Sequence, residues 1–265
     1  MISPLAHVDP AAKIGQGVTI HPFAFVDRDA VVGDNCEIMP YASICRSTVL
    51  GKNVKVYQGA VVGADPQDFR WKGENSICTI GDNCIIREHV IINRGFRETH
   101  GTVIGADTII CADSHVGHDC VIDGSCVLGN GVTIAGGVHI EIGSILSSNV
   151  VVHEGSRIGK FALIKGGTRI SSNVPPYTIM AHNPATYYGV NNVVMERYSK
   201  QPFTSEEIDD VAKAYRHIYQ TQTSTFNALK RIEADIEPSR VRDEILNFVR
   251  GCNLRITGIR VDLAD

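Results

Sequence analysis

The chain has 265 residues, 25 basic and 29 acidic side chains and a formal net charge of −4, and 43% of it is hydrophobic. That composition excludes a disordered chain, leaves room for one or two domains around a sizeable core and argues against a dedicated nucleic-acid binder. No apolar run approaches the ~18–20 residues of a membrane span, and the opening stretch MISPLAHVDPAAK lacks the basic-then-apolar order of a secretory signal, so a cytoplasmic protein with reduced thiols is expected.

The chain repeats from its first residues. Ile2, Val8, Ile14, Ile20, Val26, Val32, Ile38, Ile44, Leu50, Val56 and Val62 recur at steps of six. The register breaks at Asp68 and Glu74, resumes in phase at Ile80, Ile86 and Ile92, and fails again at Glu98. From Ile104 it runs unbroken to Ile170, always as Ile, Val or Leu. Four residues after many anchors stands a small or medium apolar residue, such as Ala24, Cys36, Ala60, Cys84, Cys120 or Cys126. A step of six is a whole number of strand periods but not of helical ones. Between anchors lie Gly33-Asp34-Asn35, Gly51-Lys52-Asn53 and Gly81-Asp82-Asn83, residues that tolerate the positive φ of tight turns. Short strand, turn, short strand, turn describes a hexapeptide β-solenoid, with three hexads to a coil and roughly nine to ten coils in a triangular prism. The cysteines at 36, 84, 120 and 126 therefore read as small core residues. No CxxC pair is present, so neither a metal nor a redox centre is expected.

Two polar stretches interrupt the repeat without losing its phase: Gly63–Asn75 (GADPQDFRWKGEN) and Arg94–Gly101 (RGFRETHG). Insertions in solenoids collect on one face, often the binding face. The first holds the only tryptophan, Trp71, beside Asp68, Arg70 and Lys72.

The repeat ends at Ser171–Tyr177, and a connecting segment runs to about Asn192. Thr204-Ser205-Glu206-Glu207 then has the form of a capping box, Thr204 at N-cap and Glu207 at N3. Ile208, Val211, Tyr215, Ile218 and Tyr219 follow at helical spacing. Phe226, Leu229 and Ile232 suggest a second helix, and Val241, Ile245, Leu246, Val249 and Leu254 a third. The chain divides into a solenoid domain, 1–191, and a helical domain, 192–265, that caps the solenoid's open end.

A hexad needs apolar anchors and polar turns, not histidine, so His115-Val116-Gly117-His118-Asp119-Cys120 stands out. His118 lies two residues past an anchor and projects outward near a turn. A carboxylate beside an imidazole fixes its tautomer and stabilises the imidazolium, which makes a general base.

The solenoid, the Gly-His-Asp-Cys stretch, the Pro-Gln-Asp loop, Asn93-Arg94-Gly95, the Val174-Pro175-Pro176-Tyr177 exit and the helical tail together resemble one family, the UDP-N-acetylglucosamine O-acyltransferases of lipid A biosynthesis. The resemblance covers essentially the whole chain. It implies an all-β left-handed parallel β-helix followed by a small α-helical C-terminal domain. It also implies a homotrimer with active sites between neighbouring solenoids, no cofactor, and two substrates, an acyl carrier protein thioester and UDP-N-acetylglucosamine. The residue matching the family's general base is His118, Asp119 matches the aspartate that orients it, and Gly136 matches the oxyanion donor. His115, His153 and Asp68 match substrate contacts. Asn191 and Arg197 match contacts to the nucleotide, and Gly166 matches the position that limits acyl length. Five residues depart from the pattern: Arg70 stands where lysine is frequent, Asn93 where some members have histidine, Glu154 where glutamine is often found, Gly137 where a histidine is seen, and Tyr198, which replaces an arginine.

Three alternatives remain at this stage. The related glucosamine N-acyltransferases carry Asn after the catalytic His, where Asp119 stands, and an extra domain ahead of the solenoid, which here starts at Ile2. The γ-type carbonic anhydrases need histidines five residues apart, whereas His115 and His118 are three apart. A non-catalytic solenoid platform would leave the outward His, Asp and Arg without a role.

Overall fold

The structure, a computed structural model, describes all residues except 97–100, 198–202, 222, 254 and 259–265, and also omits the side chains of Glu196 and Arg197. Hexad anchors form strands mostly two residues long on three sheets. The first face has nine strands, from His7–Val8 to Arg169–Ile170; the second has eight, from Lys13–Ile14 to Arg157–Ile158; the third has ten, from Thr19–Ile20 to Thr186–Val190. The chain visits the faces in turn, as a left-handed parallel β-helix. Right-handed crossovers prevail where a helix must pack back on a twisted sheet; here each crossover is a bare corner.

Anchors from Ile20 to Ile170 point inward and are at most 1% exposed. Equivalent anchors stack rung on rung, as in Val116, Ile134, Val152 and Ile170. The second inward position does more than fill space. Cys36, Cys120, Ser114 and Ser144 each donate from sulfur or oxygen to the carbonyl of the residue fifteen positions on, at 3.0, 3.1, 2.9 and 2.9 Å. A buried polar group thus keeps its partner. Burial pushes the Cys120 and Cys126 thiols up to about 12, and all eight cysteines are free.

Both interruptions leave the same corner, between the first and second faces. One runs from strand Val61–Ala64 to strand Cys78–Ile80, the other from Ile91–Asn93 to Thr102–Ile104. Successive first-face anchors are 18 residues apart from Val116 onward. Val62 and Ile92 are 30 apart, and Ile92 and Val116 are 24 apart. The insertions are therefore whole hexads, which is why the phase survives them.

Beyond Ile170 the expected connecting segment is partly ordered sheet. Strand Thr178–Ala181 extends the third face, and Thr186–Val190 pairs with it antiparallel. This hairpin follows no hexad and so leaves no periodic signal. Among the described residues four helices follow, not three: α1 (Asn192–Arg197), α2 (Ser205–Tyr219), α3 (Thr225–Asp235) and α4 (Arg240–Gly251). The capping box forms as expected, with Thr204 Oγ1 accepting from the Glu207 N–H and the Glu207 carboxylate accepting from the Thr204 N–H. Val211, Tyr215, Leu229, Ile232, Val241, Ile245 and Val249 join one apolar cluster. Phe226 instead is 55% exposed beneath the Lys230 ammonium, and Leu254 lies outside the described residues. The helical domain docks on the last coils: Lys160 Nζ meets Glu244 at 2.7 Å, Arg157 lies over the Phe248 ring, and Tyr219 stacks on Tyr187 at 4.3 Å. No helix among the described residues is long and apolar enough to cross a membrane.

Ile122 stacks between Ile104 and Ile140 and is fully buried. Ile122→Ala should lower the unfolding free energy by about 2–5 kcal/mol. Guanidinium denaturation measures this, with exposed Lys55→Ala as a control expected within about 0.5 kcal/mol.

Candidate active site

Residues two places past the first-face anchors stack along the corner from which both insertions leave. In order they are Arg94, His118, Gly136 and Glu154. Rung spacing is about 4.8 Å, so an arginine, a histidine, a glycine and a glutamate form one column.

His118 points away from the prism core but is only 9% exposed; the insertions cover it. The Phe96 ring meets it edge-on, centroids 4.8 Å apart. Its Nδ1 lies 2.9 Å from Asp119 Oδ2. A carboxylate only accepts, so Nδ1 carries the proton in this bond and Nε2 is the nitrogen turned to the cleft. Asp119 sits at φ +55°, a left-handed turn position that aspartate tolerates, and its carboxylate also accepts from the Phe96 N–H at 3.2 Å. Gly136 lies against the imidazole. A Cβ there would overlap His118 Cε1 and Nε2, so only glycine allows the ring this place. The Gly136 N–H has no hydrogen-bond partner among the described residues. Gly137 N–H is spent on the His118 carbonyl, at 2.8 Å.

The first insertion crosses the column lengthwise. At its foot, Arg94 is 3% exposed and pairs with Asp65, and Asn93 Nδ2 donates to the Asp65 carbonyl at 2.6 Å. Its tip is an Asx turn: Asp68 Oδ1 accepts from the Arg70 N–H at 2.8 Å. The Arg70 guanidinium grips the same carboxylate through Nε at 2.9 Å and through Nη2, and holds it well below the usual carboxylate range. Asp68 Oδ2 then stands 3.3 Å from His118 Nε2, an ion pair only while that nitrogen too carries a proton. The other side of Arg70 reaches Glu154 Oε1 at 3.2 Å. Trp71 lies behind, with the Arg94 guanidinium 5.5 Å from its ring centre.

The fold thus brings Asp68, Arg70, His118, Asp119, Gly136 and Glu154 together. His115 and His153 border them. His115 is on the strand leading into the His118 turn, and burial pulls its imidazole below the ordinary histidine value. His153 precedes Glu154, is exposed, and has Nδ1 3.2 Å from the Glu154 carbonyl. Asn93 is 1% exposed and faces the insertion, not the cleft. Asn191, 2% exposed, donates to the Phe161 carbonyl at 2.9 Å just before α1. Arg197 lies in α1 with its side chain outside the description, and Tyr198 is outside the described residues. Gly166 is exposed on the opposite edge of the first face, at its corner with the third. Phe96, Arg94 and Asp65 were not singled out from the sequence. An arginine at a hexad corner is as unnecessary to the repeat as a histidine, and that signal was there to be used. Among the described residues no group of three or more His, Cys, Asp or Glu is placed to hold a metal ion. The arrangement offers an oriented imidazole beside an open backbone N–H, which is a proton acceptor next to a hydrogen-bond donor.

Residues 173–259 match the family model for UDP-N-acetylglucosamine O-acyltransferase, domain 2, and residues 29–64 match the bacterial transferase hexapeptide model. The acyl-[acyl-carrier-protein]–UDP-N-acetylglucosamine O-acyltransferase of Chlamydia caviae is 37% identical over 251 residues, 95% of this chain and 88% of that one. The enzyme of the same name from Gloeothece citriformis is 33% identical over 180 residues, and the match spans 64% of its length. The crystal structure of the UDP-N-acetylglucosamine acyltransferase of Bacteroides fragilis superposes with a TM-score of 0.92 at 40% identity, covering 98% of this chain and 100% of that one.

Gly136→Ala should push the His118 ring off Asp119 while the fold persists. The low-field proton resonance of the Nδ1–H bond is expected to vanish from the NMR spectrum with far-ultraviolet circular dichroism unchanged. A resonance that survives would show that the glycine does not hold the ring.

Proposed function

The chain belongs to the UDP-N-acetylglucosamine O-acyltransferase family, and on that premise we propose that it moves an (R)-3-hydroxyacyl group from acyl carrier protein to the glucosamine 3-hydroxyl of UDP-N-acetylglucosamine, the first step of lipid A biosynthesis, in the cytoplasm. The observation that carries the mechanism is the His118–Asp119 pair stacked on Gly136. His118 Nε2 takes the proton of the sugar hydroxyl as its oxygen attacks the thioester carbon. Asp119, through Nδ1, keeps the ring in the tautomer that leaves Nε2 able to accept and stabilises the imidazolium that forms. The carbonyl oxygen, now negative, is met by the Gly136 N–H. When the C–S bond breaks, the thiolate of the carrier arm leaves and takes the proton back from Nε2. The step needs neither metal nor covalent enzyme intermediate. His115, His153, Asp68 and Arg70 are the polar groups about the cleft that fit the sugar nucleotide.

His118 and Gly166 occupy different edges of one prism, so a groove joining base and ruler is completed by a second copy, as in a closed C3 homotrimer. The third face supports this with an outward row of partly exposed aliphatics, Ile85, Ile109, Val127, Ile145, Leu163 and Ile179.

In an assay with acyl carrier protein thioester and UDP-N-acetylglucosamine, His118→Ala should cut kcat by about 10²–10⁴, and Asp119→Ala by less. His139, paired with Asp123 on the second face at 3.2 Å, should tolerate alanine. Near-normal turnover by His118→Ala would sink the mechanism.

Gly166 leaves the groove open to an acyl chain of about fourteen carbons or more, each further buried CH₂ adding roughly 0.8 kcal/mol. Gly166→Met should shift preference to shorter donors and spare the turnover of a short one. Gly166→Ala is the control, because its Cβ already comes within 3.1 Å of the Ser148 carbonyl oxygen. Equal loss for all donor lengths would place the ruler elsewhere.

A further inference from the structure

Asp68 stands at the one atom the reaction needs open. Its Oδ2 is 3.3 Å from His118 Nε2, where the acceptor hydroxyl has to come to give up its proton. Two groups cannot hold that position at once, so the acceptor must displace Asp68, and Nε2 must shed the proton that pairs it with Asp68 before it can act as the base. What keeps Asp68 there is Arg70, which grips both of its carboxylate oxygens. What keeps Arg70 there is Glu154, from the rung two coils beyond His118. Glu154 and Arg70 are also the two charged departures from the family pattern. A glutamate in place of glutamine and an arginine in place of lysine meet in a single contact, and each accounts for the other: the planar guanidinium can serve Asp68 and Glu154 at once, which a point-like ammonium does poorly.

We propose that Glu154 is a positioning residue of this site, acting through Arg70 to hold Asp68 across the Nε2 edge of His118 until the acceptor sugar takes that place. The proposal rests on the acyl-transfer reading above. The chain of contacts Glu154–Arg70–Asp68–His118–Asp119 is a strap over the base. Its outer link is its weak one. Arg70 and Glu154 are 45% and 55% exposed at that bridge, whereas Asp68 and His118 are 9% and 11% exposed at theirs. Half-exposed ion pairs are weak, enough to bias a closed site and little enough for a ligand to overcome. Arg94, on the neighbouring rung, is already paired with Asp65.

The strap carries its own reporter. Trp71, the only tryptophan, adjoins Arg70, and its indole N–H is buried without a partner among the described residues, against Arg94. If the strap swings aside, that ring moves toward water. The experiment uses the full chain and two readouts. In the first, wild type is titrated with UDP-N-acetylglucosamine alone while Trp71 emission is followed, beside Glu154→Gln and Glu154→Ala. Wild type should shift to the red as it saturates, and Glu154→Ala should start part-shifted, with Glu154→Gln between. In the second, steady-state kinetics should give Glu154→Ala a KM for UDP-N-acetylglucosamine up to about fivefold lower, the equivalent of ~1 kcal/mol. A KM that rises would make Glu154 a direct acceptor contact and overturn the proposal. So would Trp71 emission that neither saturating acceptor nor Glu154→Ala moves. A wild-type chain that turns over no UDP-N-acetylglucosamine defeats the acyl-transfer reading instead, which keeps the two failures apart.

Discussion

The stacking of one aliphatic rung on the next is the constraint that the rest of the structure inherits. Each short strand gives its backbone groups to the coils before and after it, and each anchor meets the same anchor 18 residues away. A slip of one residue would turn every inward side chain out. With that registry locked, the corners are locked too, and a residue two places past an anchor has no choice of neighbours. His118 stands over Gly136 because Val116 stands over Ile134. The proposed base is thus placed by apolar packing two residues away.

The same constraint explains what was legible in the sequence. The solenoid could be read almost to the residue, because a six-residue period over so many coils has one structural meaning. The capping box of α2 was equally plain, since it is a local pairing of Thr204 and Glu207. The hairpin Thr178–Val190 was not, because antiparallel pairing across a turn leaves no period. Nor was α1, only six residues long. In the site, His118 and Asp119 were visible as intruders in the repeat. Their burial was not, because the cover comes from insertions whose path no periodicity describes. The phase was kept only because the insertions are whole hexads; loops of another length would have left the prism intact and hidden the repeat. Where the Asn93 and Asn191 side chains turn was not legible in the sequence. Their amides are turned to the Asp65 and Phe161 carbonyls, and burial of that kind is decided by tertiary contacts.

Two kinds of rigidity meet at the corner. The column is stiff, fixed by sheet hydrogen bonds above and below. The first insertion has a stiff foot and a loose tip. At the foot, buried Arg94 is paired with Asp65 and would be costly to separate from it. At the tip, Asp68 and Arg70 are held by a local Asx turn, and the outer pair Arg70–Glu154 is half-exposed. The proposed acyl transfer, which would admit a sugar nucleotide and then exclude water around a thioester, would draw on that division. The proposed catalytic groups sit on the stiff column, and the groups proposed to move are bound by contacts weak enough to exchange.

A triangular prism is convex, and that decides how far one chain can go toward enclosing a substrate. Its faces are flat and its corners project, so no edge of it forms a groove. The insertions supply one wall along the His118 corner, reaching from the Arg94 rung to Glu154. Gly166 lies exposed on the far edge of the first face, away from the described residues of the insertions. A long acyl chain laid from His118 toward Gly166 would therefore be half in water. Burial of that chain is the main favourable term available for binding it, so the missing wall has to be another molecule. A second copy of the prism, itself convex, makes a cleft wherever two such bodies touch, and three of them arranged around an axis repeat that cleft with no open surface left over. The proposed acyl transfer and the proposed trimer are in this sense one requirement, since the base is complete within a single chain and the pocket for the chain it transfers is not.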